Sequence, residues 1–401
     1  MRYFAFSCRL GAIFLILCLC LSAGAVSLTA AGQTVVTAND LQSFSILPES
    51  SVPVSAPPAT NAASYALLDP TSGKLLAEKD ADTKRPMAST TKIMTALVVL
   101  ERCDLAQTVI IPPEAVGVEG SSIYLFAGER ITVETLLFAL MLSSANDAAT
   151  ALALHTAGSI PDFAALMNQK ATELGLSNTH FVNPHGLQAE DHYTTARDLA
   201  TLTAAALQNT TFAEIVATKR YSVPQQGTGA SRLFLNHNRL LRNFEGAVGV
   251  KTGFTKASGR CLVSAATRDG LTLIAVTLRD PDDWRDHQAL LEWGFSQYIA
   301  FAPKPMLSPL PVVGGTAPSV AVKPANAIAL TLPAQHPEIT CTVELPRFLY
   351  AGFAGGTQVG RVIYRMGDDL LFETPLLTEN GVPATQARLS LWERIRNLFR
   401  K

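Results

Sequence analysis

Ser89 and Lys92 stand three positions apart at the head of the run Pro86-Met87-Ala88-Ser89-Thr90-Thr91-Lys92-Ile93-Met94-Thr95-Ala96-Leu97. On a helix, positions i and i+3 share a face, so the Lys92 amine reaches the Ser89 hydroxyl. A hydroxyl beside an amine is a nucleophile beside a possible base. The same residues also fit a plain helix start, with Ser89 as N-cap and Lys92 solvated in the first turn. Two later triplets decide between these readings. Ser144-Ala145-Asn146 is the only Ser-x-Asn in the chain, Lys251-Thr252-Gly253 the only Lys-Thr-Gly, and Ser89-x-x-Lys92 the only Ser-x-x-Lys. Each is expected at an element end or loop. Each alone could be chance, but all three, in this order, favour an assembled site over a helix cap.

Those sites need rigid mounts. Ile93, Leu97 and Leu100 recur at helical spacing, and other apolar residues fill the remaining faces, so the Ser89 helix runs to about Arg102 and is buried. Its open end is a rigid place for a nucleophile. A second apolar helix starts at Thr132, a plausible N-cap. It breaks at Ser143-Ser144-Ala145-Asn146 and resumes from Asp147. Ser159 caps a further helix, which Gly175 ends. Thr195-Ala196-Arg197-Asp198 resembles a capping box, with Asp for the usual Glu. Upstream, Tyr65-Ala66-Leu67-Leu68 and Leu75-Leu76-Ala77 flank Asp69-Pro70-Thr71-Ser72-Gly73, a β-hairpin pattern. Downstream, strands are expected over 249–255, 261–267 and 271–278, with Arg268-Asp269-Gly270 as a hairpin turn, followed by a helix over 282–298. Strands, helices and strands in that order imply an α+β fold, one antiparallel sheet with a helical insertion.

The remaining stretches bound the domains. A chain of 401 residues has room for two. Arg2, Arg9 and the apolar run 10–21, too short for a comfortable membrane span, precede Ala23-Gly24-Ala25. This is an export leader ending by residue 31, with an uncleaved anchor as the alternative. Residues 32–60 are rich in Pro, Ser and Ala and read as a flexible linker. A domain over 61–300 carries all three motifs. Prolines crowd around Phe301, and the short β runs over 301–386 imply a small all-β domain. Over 387–401, Leu391, Trp392, Ile395, Leu398 and Phe399 fall on one helical face opposite Arg394, Arg396, Arg400 and Lys401, the pattern of a helix lying on a membrane surface. The net charge of −1 carries no nucleic-acid footprint. Of six cysteines, only Cys103, Cys261 and Cys341 lie beyond the leader. An odd, widely spaced set is no disulfide framework, and no zinc spacing occurs, so no metal and no cofactor are expected.

Ser-x-x-Lys, Ser-x-Asn and Lys-Thr-Gly in this order are the set of class A β-lactamases and penicillin-binding proteins. The chain resembles the D-alanyl-D-alanine carboxypeptidases, the low-molecular-mass penicillin-binding proteins of peptidase family S11. The resemblance runs over about 64–298 and includes Asn183-Pro184-His185-Gly186-Leu187 and Tyr193-Thr194-Thr195-Ala196-Arg197-Asp198. The β domain and terminal amphipathic stretch also match that layout, which implies a β-lactamase/transpeptidase-like fold. Ala145 departs from the Gly usual at that position.

The resemblance implies a serine carboxypeptidase that removes the terminal D-alanine from peptidoglycan pentapeptides through an acyl-enzyme and is inhibited by β-lactams. It implies Ser89 as nucleophile, Lys92 as base and Ser144 as proton relay. Asn146, Lys251, Thr252 and Gly253 would bind substrate, and the backbone N–H groups of Ser89 and Phe254 would hold the oxyanion. Arg279 and Arg285 are candidates for the substrate carboxylate, and His185 is expected to be structural. The partners implied are stem peptides ending in D-Ala-D-Ala, β-lactams and the outer face of the cell membrane. The alternatives are a β-lactamase, for which Glu190 and Asp191 are the nearest carboxylates to a deacylation base, and a catalytically weak muropeptide-binding protein.

Overall fold

The hairpin around Asp69 forms because that carboxylate accepts from Thr71 N at 2.9 Å and Ser72 N at 3.2 Å, and Gly73 takes φ +71°. It joins β1 (Ser64–Asp69) to β2 (Lys74–Lys79). The structure, a computed structural model, describes residues 41–46, 54–225 and 229–385. The leader expected over 1–31 and the amphipathic stretch over 387–401 lie outside the described residues.

Three strands from the far end of the domain complete the sheet: β3 (Ala247–Thr255), β4 (Gly259–Arg268) and β5 (Leu271–Leu278). The order is β2-β1-β5-β4-β3, antiparallel throughout. Asp269 (φ +47°) and Gly270 (φ +81°) turn β4 into β5, both in the left-handed region that a tight two-residue hairpin demands. Alternate residues serve two cores. Tyr65, Leu67, Leu271, Leu273 and Ala275 pack with Leu290 and Leu291 of the helix Asp283–Gln297. Ala66, Leu68, Ile274, Val276 and Leu278 pack with the helical insertion. A sheet covered on both faces has no polar side, which is why β1 and β5 read as nearly unbroken apolar runs.

The insertion holds α1 (Lys92–Arg102), α2 (Val133–Leu142), α3 (Asn146–Ala157), α4 (Ile160–Glu173), α5 (Ala196–Leu207) and α6 (Thr210–Ala217). Thr132, Ser159 and Thr195 cap α2, α4 and α5, accepting from Thr135 N, Asp162 N and Asp198 N. The capping box expected at Thr195 is only half made. The Asp198 carboxylate accepts from Asn178 N at 2.9 Å and Thr179 Oγ1 at 2.7 Å instead of reaching back to the cap. Aspartate is one methylene shorter than glutamate, and a neighbouring loop supplies better donors.

By contacts, the described residues divide into two units, one within 48–304 plus Ile328–Pro337, the other the rest. The boundary read at 300 is therefore crossed once, because Leu330–Pro333 pairs with Tyr298–Phe301. The second unit has a five-stranded antiparallel sheet ordered Leu41–Ile46, Ile339–Glu344, Gln358–Met366, Asp369–Thr378, Val322–Pro324. The stretch read as a linker over 32–60 thus contains a strand. Cys103, Cys261 and Cys341 are all free.

Candidate active site

Ser89 sits on a 3₁₀ turn, Ala88–Thr91, that leads directly into α1, rather than on the α-helix itself. The tighter turn still places i and i+3 together: Lys92 Nζ lies 2.9 Å from Ser89 Oγ. Ala88, just before the nucleophile, is held at φ +48°, a costly conformation for a residue with a Cβ. Its carbonyl accepts from Thr91 Oγ1 at 2.8 Å. His192 completes the restraint. Its Nδ1 accepts from Val182 N at 3.1 Å, so Nε2 carries the proton and donates to Thr91 Oγ1 at 2.8 Å. Gly186 packs against the same carbonyl so closely that a Cβ would overlap the Ala88 oxygen. Replacing Thr91 with valine keeps the shape but strands both partners, so stability should fall by about 1–3 kcal/mol. Thr91→Ser should restore most of it. Chemical denaturation of the two variants, alongside their rates of acylation by penicillin, checks this.

The loop Asn183-Pro184-His185-Gly186-Leu187 closes the site from below. Asn183 Oδ1 accepts from Gly186 N at 2.7 Å, and Asn183 Nδ2 donates to Leu187 O at 2.9 Å. The Pro184 carbonyl accepts from Thr95 Oγ1 at 2.6 Å and the His185 carbonyl from Lys92 Nζ at 2.6 Å. His185 therefore meets the base through its backbone, while its ring accepts from Leu187 N at 3.2 Å.

The break between α2 and α3 supplies the second motif. Ser144 takes φ +59°, whereas Ala145 is extended at φ −63°, so the methyl in place of the usual Gly meets no backbone strain. Asn146 Nδ2 donates to Glu119 O at 2.6 Å, which orients Oδ1 toward Lys92 Nζ at 2.7 Å. The following residue, Asp147, is buried and accepts from Ser122 Oγ, Ile123 N and Leu125 N. It pins the loop whose Ser121 carbonyl accepts from Asn146 N at 2.7 Å. Its only signal in the sequence is its place after Ser-x-Asn.

The third motif lies on β3, at the sheet edge. Lys251 is 2 % exposed and donates to Thr252 O at 2.9 Å. Gly253 passes the nucleophile so closely that a Cβ would lie 3.1 Å from Ser89 N. Ser89, Ser144, Thr252, Gly253 and Phe254 line one cleft of about 630 Å³. Lys92 and Asn146 lie buried behind it, joined to Ser89 through the Lys92 amine.

The cations expected at the cleft are not the ones found there. Arg285 pairs with Asp282 and Asp286, and Arg279 lies against Gly259. Neither lines the cleft: Arg285 is held by carboxylates of its own helix, and Arg279 packs on the β3–β4 turn. Arg239, Arg242 and Arg260 line it, with His237, Trp284 and Asp283. Arg260 is tied to Asp283 at 2.9 Å, whereas Arg239 and Arg242 form no ion pair among the described residues. The sequence signal was Asn236-His237-Asn238-Arg239, a polar loop just before the β3 strand. Glu190 and Asp191 are exposed and do not line the cleft.

Burial is the main force on the titrating groups. It holds the Lys92 amine well below the lysine range, the Lys251 charge pushes the same way, and Asp147 opposes. Burial also lowers Lys251 to about 7. His185 falls to about 3 and His192 to about 4, again through burial first, so both rings are neutral near pH 7. A neutral Lys92 amine has two N–H donors and one lone pair. The acceptor-only His185 carbonyl and Asn146 Oδ1 take the two donors, which leaves the lone pair facing the Ser89 hydroxyl. The arrangement can deprotonate a serine.

Comparisons with known proteins agree. The peptidase S11 family profile, described as D-alanyl-D-alanine carboxypeptidase, matches residues 51–282. The chain is 32% identical to the D-alanyl-D-alanine carboxypeptidase DacC of Escherichia coli, over 81% of this chain and 85% of that protein. It is 36% identical to the D-alanyl-D-alanine carboxypeptidase of Streptomyces sp. strain K15, over 66% of this chain and 98% of that one. Among solved structures it is similar to penicillin binding protein 5 from Haemophilus influenzae, with a TM-score of 0.64, 29% identity and coverage of 82% and 99%.

Proposed function

The chain belongs to the D-alanyl-D-alanine carboxypeptidases of peptidase family S11, and on that premise we propose that Ser89 is the residue acylated when the terminal D-alanine is removed from a peptidoglycan pentapeptide. The observation that carries this assignment is the Lys92 amine, buried, depressed in pKa and aimed at Ser89 Oγ. Lys92 takes the hydroxyl proton as Ser89 Oγ attacks the carbonyl between the two D-alanines. Ser144, on the cleft wall, relays that proton from Lys92 to the leaving amine. Water then attacks the ester, and Lys92 takes its proton and returns it to Ser89 Oγ as the ester bond breaks.

The binding roles follow from the same cleft. Asn146 orients Lys92, and it would reach the substrate backbone only by releasing Glu119 O from its Nδ2. Gly253 lets that backbone lie along the free edge of β3. The backbone N–H groups of Ser89 and Phe254 hold the oxyanion, where one donor is typically worth about 2.7–4 kcal/mol. The terminal carboxylate meets the Thr252 hydroxyl and Lys251. A bound carboxylate favours the ammonium of a lysine poised near neutrality. Arg239 and Arg242 add two cations with no ion pair among the described residues.

Catalysis is assigned to 61–300, to which 328–337 returns, and the β domain to the rest of 301–386, after a leader over 1–31. The protein works at the outer face of the cell membrane, held there by 387–401. No described helix is long and apolar enough to cross a membrane.

Incubation with a muramyl pentapeptide should yield one D-alanine and a tetrapeptide by mass spectrometry. Penicillin should persist as an acyl-enzyme. Its leaving amine stays tethered after ring opening and blocks water. Among the described residues Asp283 is the one carboxylate lining the cleft, and it is tied to Arg260 rather than free to act as a second base. With excess drug, one equivalent should react quickly and the rest slowly. Rapid multiple turnover of penicillin with no D-alanine freed from the pentapeptide would make the enzyme a β-lactamase instead.

A further inference from the structure

The second unit carries an apolar face that its own core does not use. In its three-stranded sheet, ordered Ser319–Val320, Leu310–Val313, Leu349–Tyr350, Val312 lies opposite Leu349 and Val313 opposite Tyr350. Val312 and Leu349 point inward and are buried. Strand alternation sends Val313 and Tyr350 outward, and Phe348, two residues before Tyr350, joins them. Val313 is 48 % exposed, Phe348 44 % and Tyr350 65 %. The two rings meet edge-on, with centroids 5.3 Å apart. Arg347 adjoins them, and the segments 310–320, 345–357 and 380–385 contain no aspartate or glutamate. An aromatic face of this kind, on strands that carry no carboxylate of their own, suits an anionic bilayer, where aromatic rings settle at the headgroup level.

The course of the chain strengthens that match. The last described residues run alongside this face. Gly352 N donates to Val382 O at 2.8 Å, Thr316 N to Pro383 O at 3.1 Å, and Thr385 N to Gly314 O at 2.8 Å. Thr385, the last described residue, is therefore bonded to Gly314, the neighbour of Val313 in sequence. The 16 residues after it, to Lys401, carry Leu391, Trp392, Ile395, Leu398 and Phe399, with five cations against one carboxylate.

We infer that Val313, Phe348 and Tyr350 form a second lipid contact, which enters the same anionic membrane surface as 387–401 and fixes the β domain against it. This rests on the reading of 387–401 as membrane-binding. A single amphipathic stretch gives reversible attachment, and a second apolar patch adjoining it adds buried area in the same event.

The test uses the full exported chain and vesicles of phosphatidylglycerol and phosphatidylcholine in equal parts. The double variant Phe348→Ser/Tyr350→Ser should bind about tenfold more weakly or worse. Its hydrolysis of a soluble D-Ala-D-Ala tripeptide should stay unchanged. Val313→Glu, a single change on an exposed strand face, guards against misfolding of the double variant and should weaken binding in the same direction. Deletion of 387–401 is the control for the reading beneath. If the wild-type chain fails to bind vesicles, or binds equally without 387–401, that reading fails. If the wild type binds through its tail but both patch variants bind as tightly as it does, the patch is not a lipid contact. The inference is equally overturned if the variants lose binding to purified peptidoglycan and not to vesicles, or if they alter only the protease sensitivity of the tail in solution, which would make the tail itself the cover.

Discussion

Replacing Ser89 with alanine should abolish covalent labelling by penicillin and lower pentapeptide hydrolysis on the order of 10⁶-fold, the scale set by loss of a serine nucleophile. The substitution removes one oxygen from a partly exposed position and leaves the Ala88 carbonyl clamp and the Lys92 contacts to His185 O and Asn146 Oδ1 in place. Thermal stability should therefore be near wild type, and non-covalent binding of a D-Ala-D-Ala peptide should survive. Intact-protein mass spectrometry after penicillin treatment decides the matter. An acyl adduct on the Ser89→Ala protein would move the nucleophile elsewhere, and Ser144, in the same cleft, would be the residue to examine.

Lys92→Met should reduce acylation by about 10²–10⁴-fold, the usual contribution of a positioned base. Lys92→Arg should do no better, because a guanidinium cannot give up its proton. The loss should not be mistaken for unfolding. Lys92 is fully buried with its pKa held well below the lysine range, so the folded state binds its proton less readily than the unfolded chain does. A depressed lysine of this kind opposes folding whenever the unfolded chain is protonated, and stability rises as pH climbs toward 10.5. For Lys251, lowered to about 7 from 10.5, the rise falls between those values. Lys92 adds a rise of the same sign. The methionine variant gains by losing the buried amine and loses by stranding His185 O and Asn146 Oδ1, and its stability should climb less steeply than wild type above pH 7. Activity has the same direction: kcat/KM of the wild type should decline as pH falls through the Lys92 titration, and the variant should lack that limb. A Lys92→Met protein that keeps its acylation rate, or keeps the acid limb, would remove Lys92 from the role of base.

Much of the site was legible because its chemistry is written in short stretches. Ser89 and Lys92 meet within one turn, so the spacing alone predicts a contact that the structure gives as 2.9 Å. Thr132, Ser159 and Thr195 cap their helices because a cap bonds a donor only three residues on. Asp269-Gly270 closes the β4–β5 hairpin because both residues tolerate positive φ. The ordered triplets marked acyl transfer without any knowledge of their distances.

What the sequence could not decide were the properties summed over distant segments. Lys92 finds its other two partners in Asn146 and in the His185 carbonyl, 54 and 93 residues along the chain. No local pattern shows that a backbone carbonyl, rather than the His185 ring, serves the base. The choice of Arg239 and Arg242 over Arg279 and Arg285 depends on which distant segments close around β3, and the Asp198 carboxylate went to a loop that local spacing does not bring near. The sequence by itself determined which groups exist and which neighbours along the chain can touch, because capping, turns and i,i+3 contacts are short-ranged. Only the tertiary structure decided which lysines lose their water, and so which amine can act as a base, because desolvation is set by every segment packed around a group and not by the residues beside it in sequence.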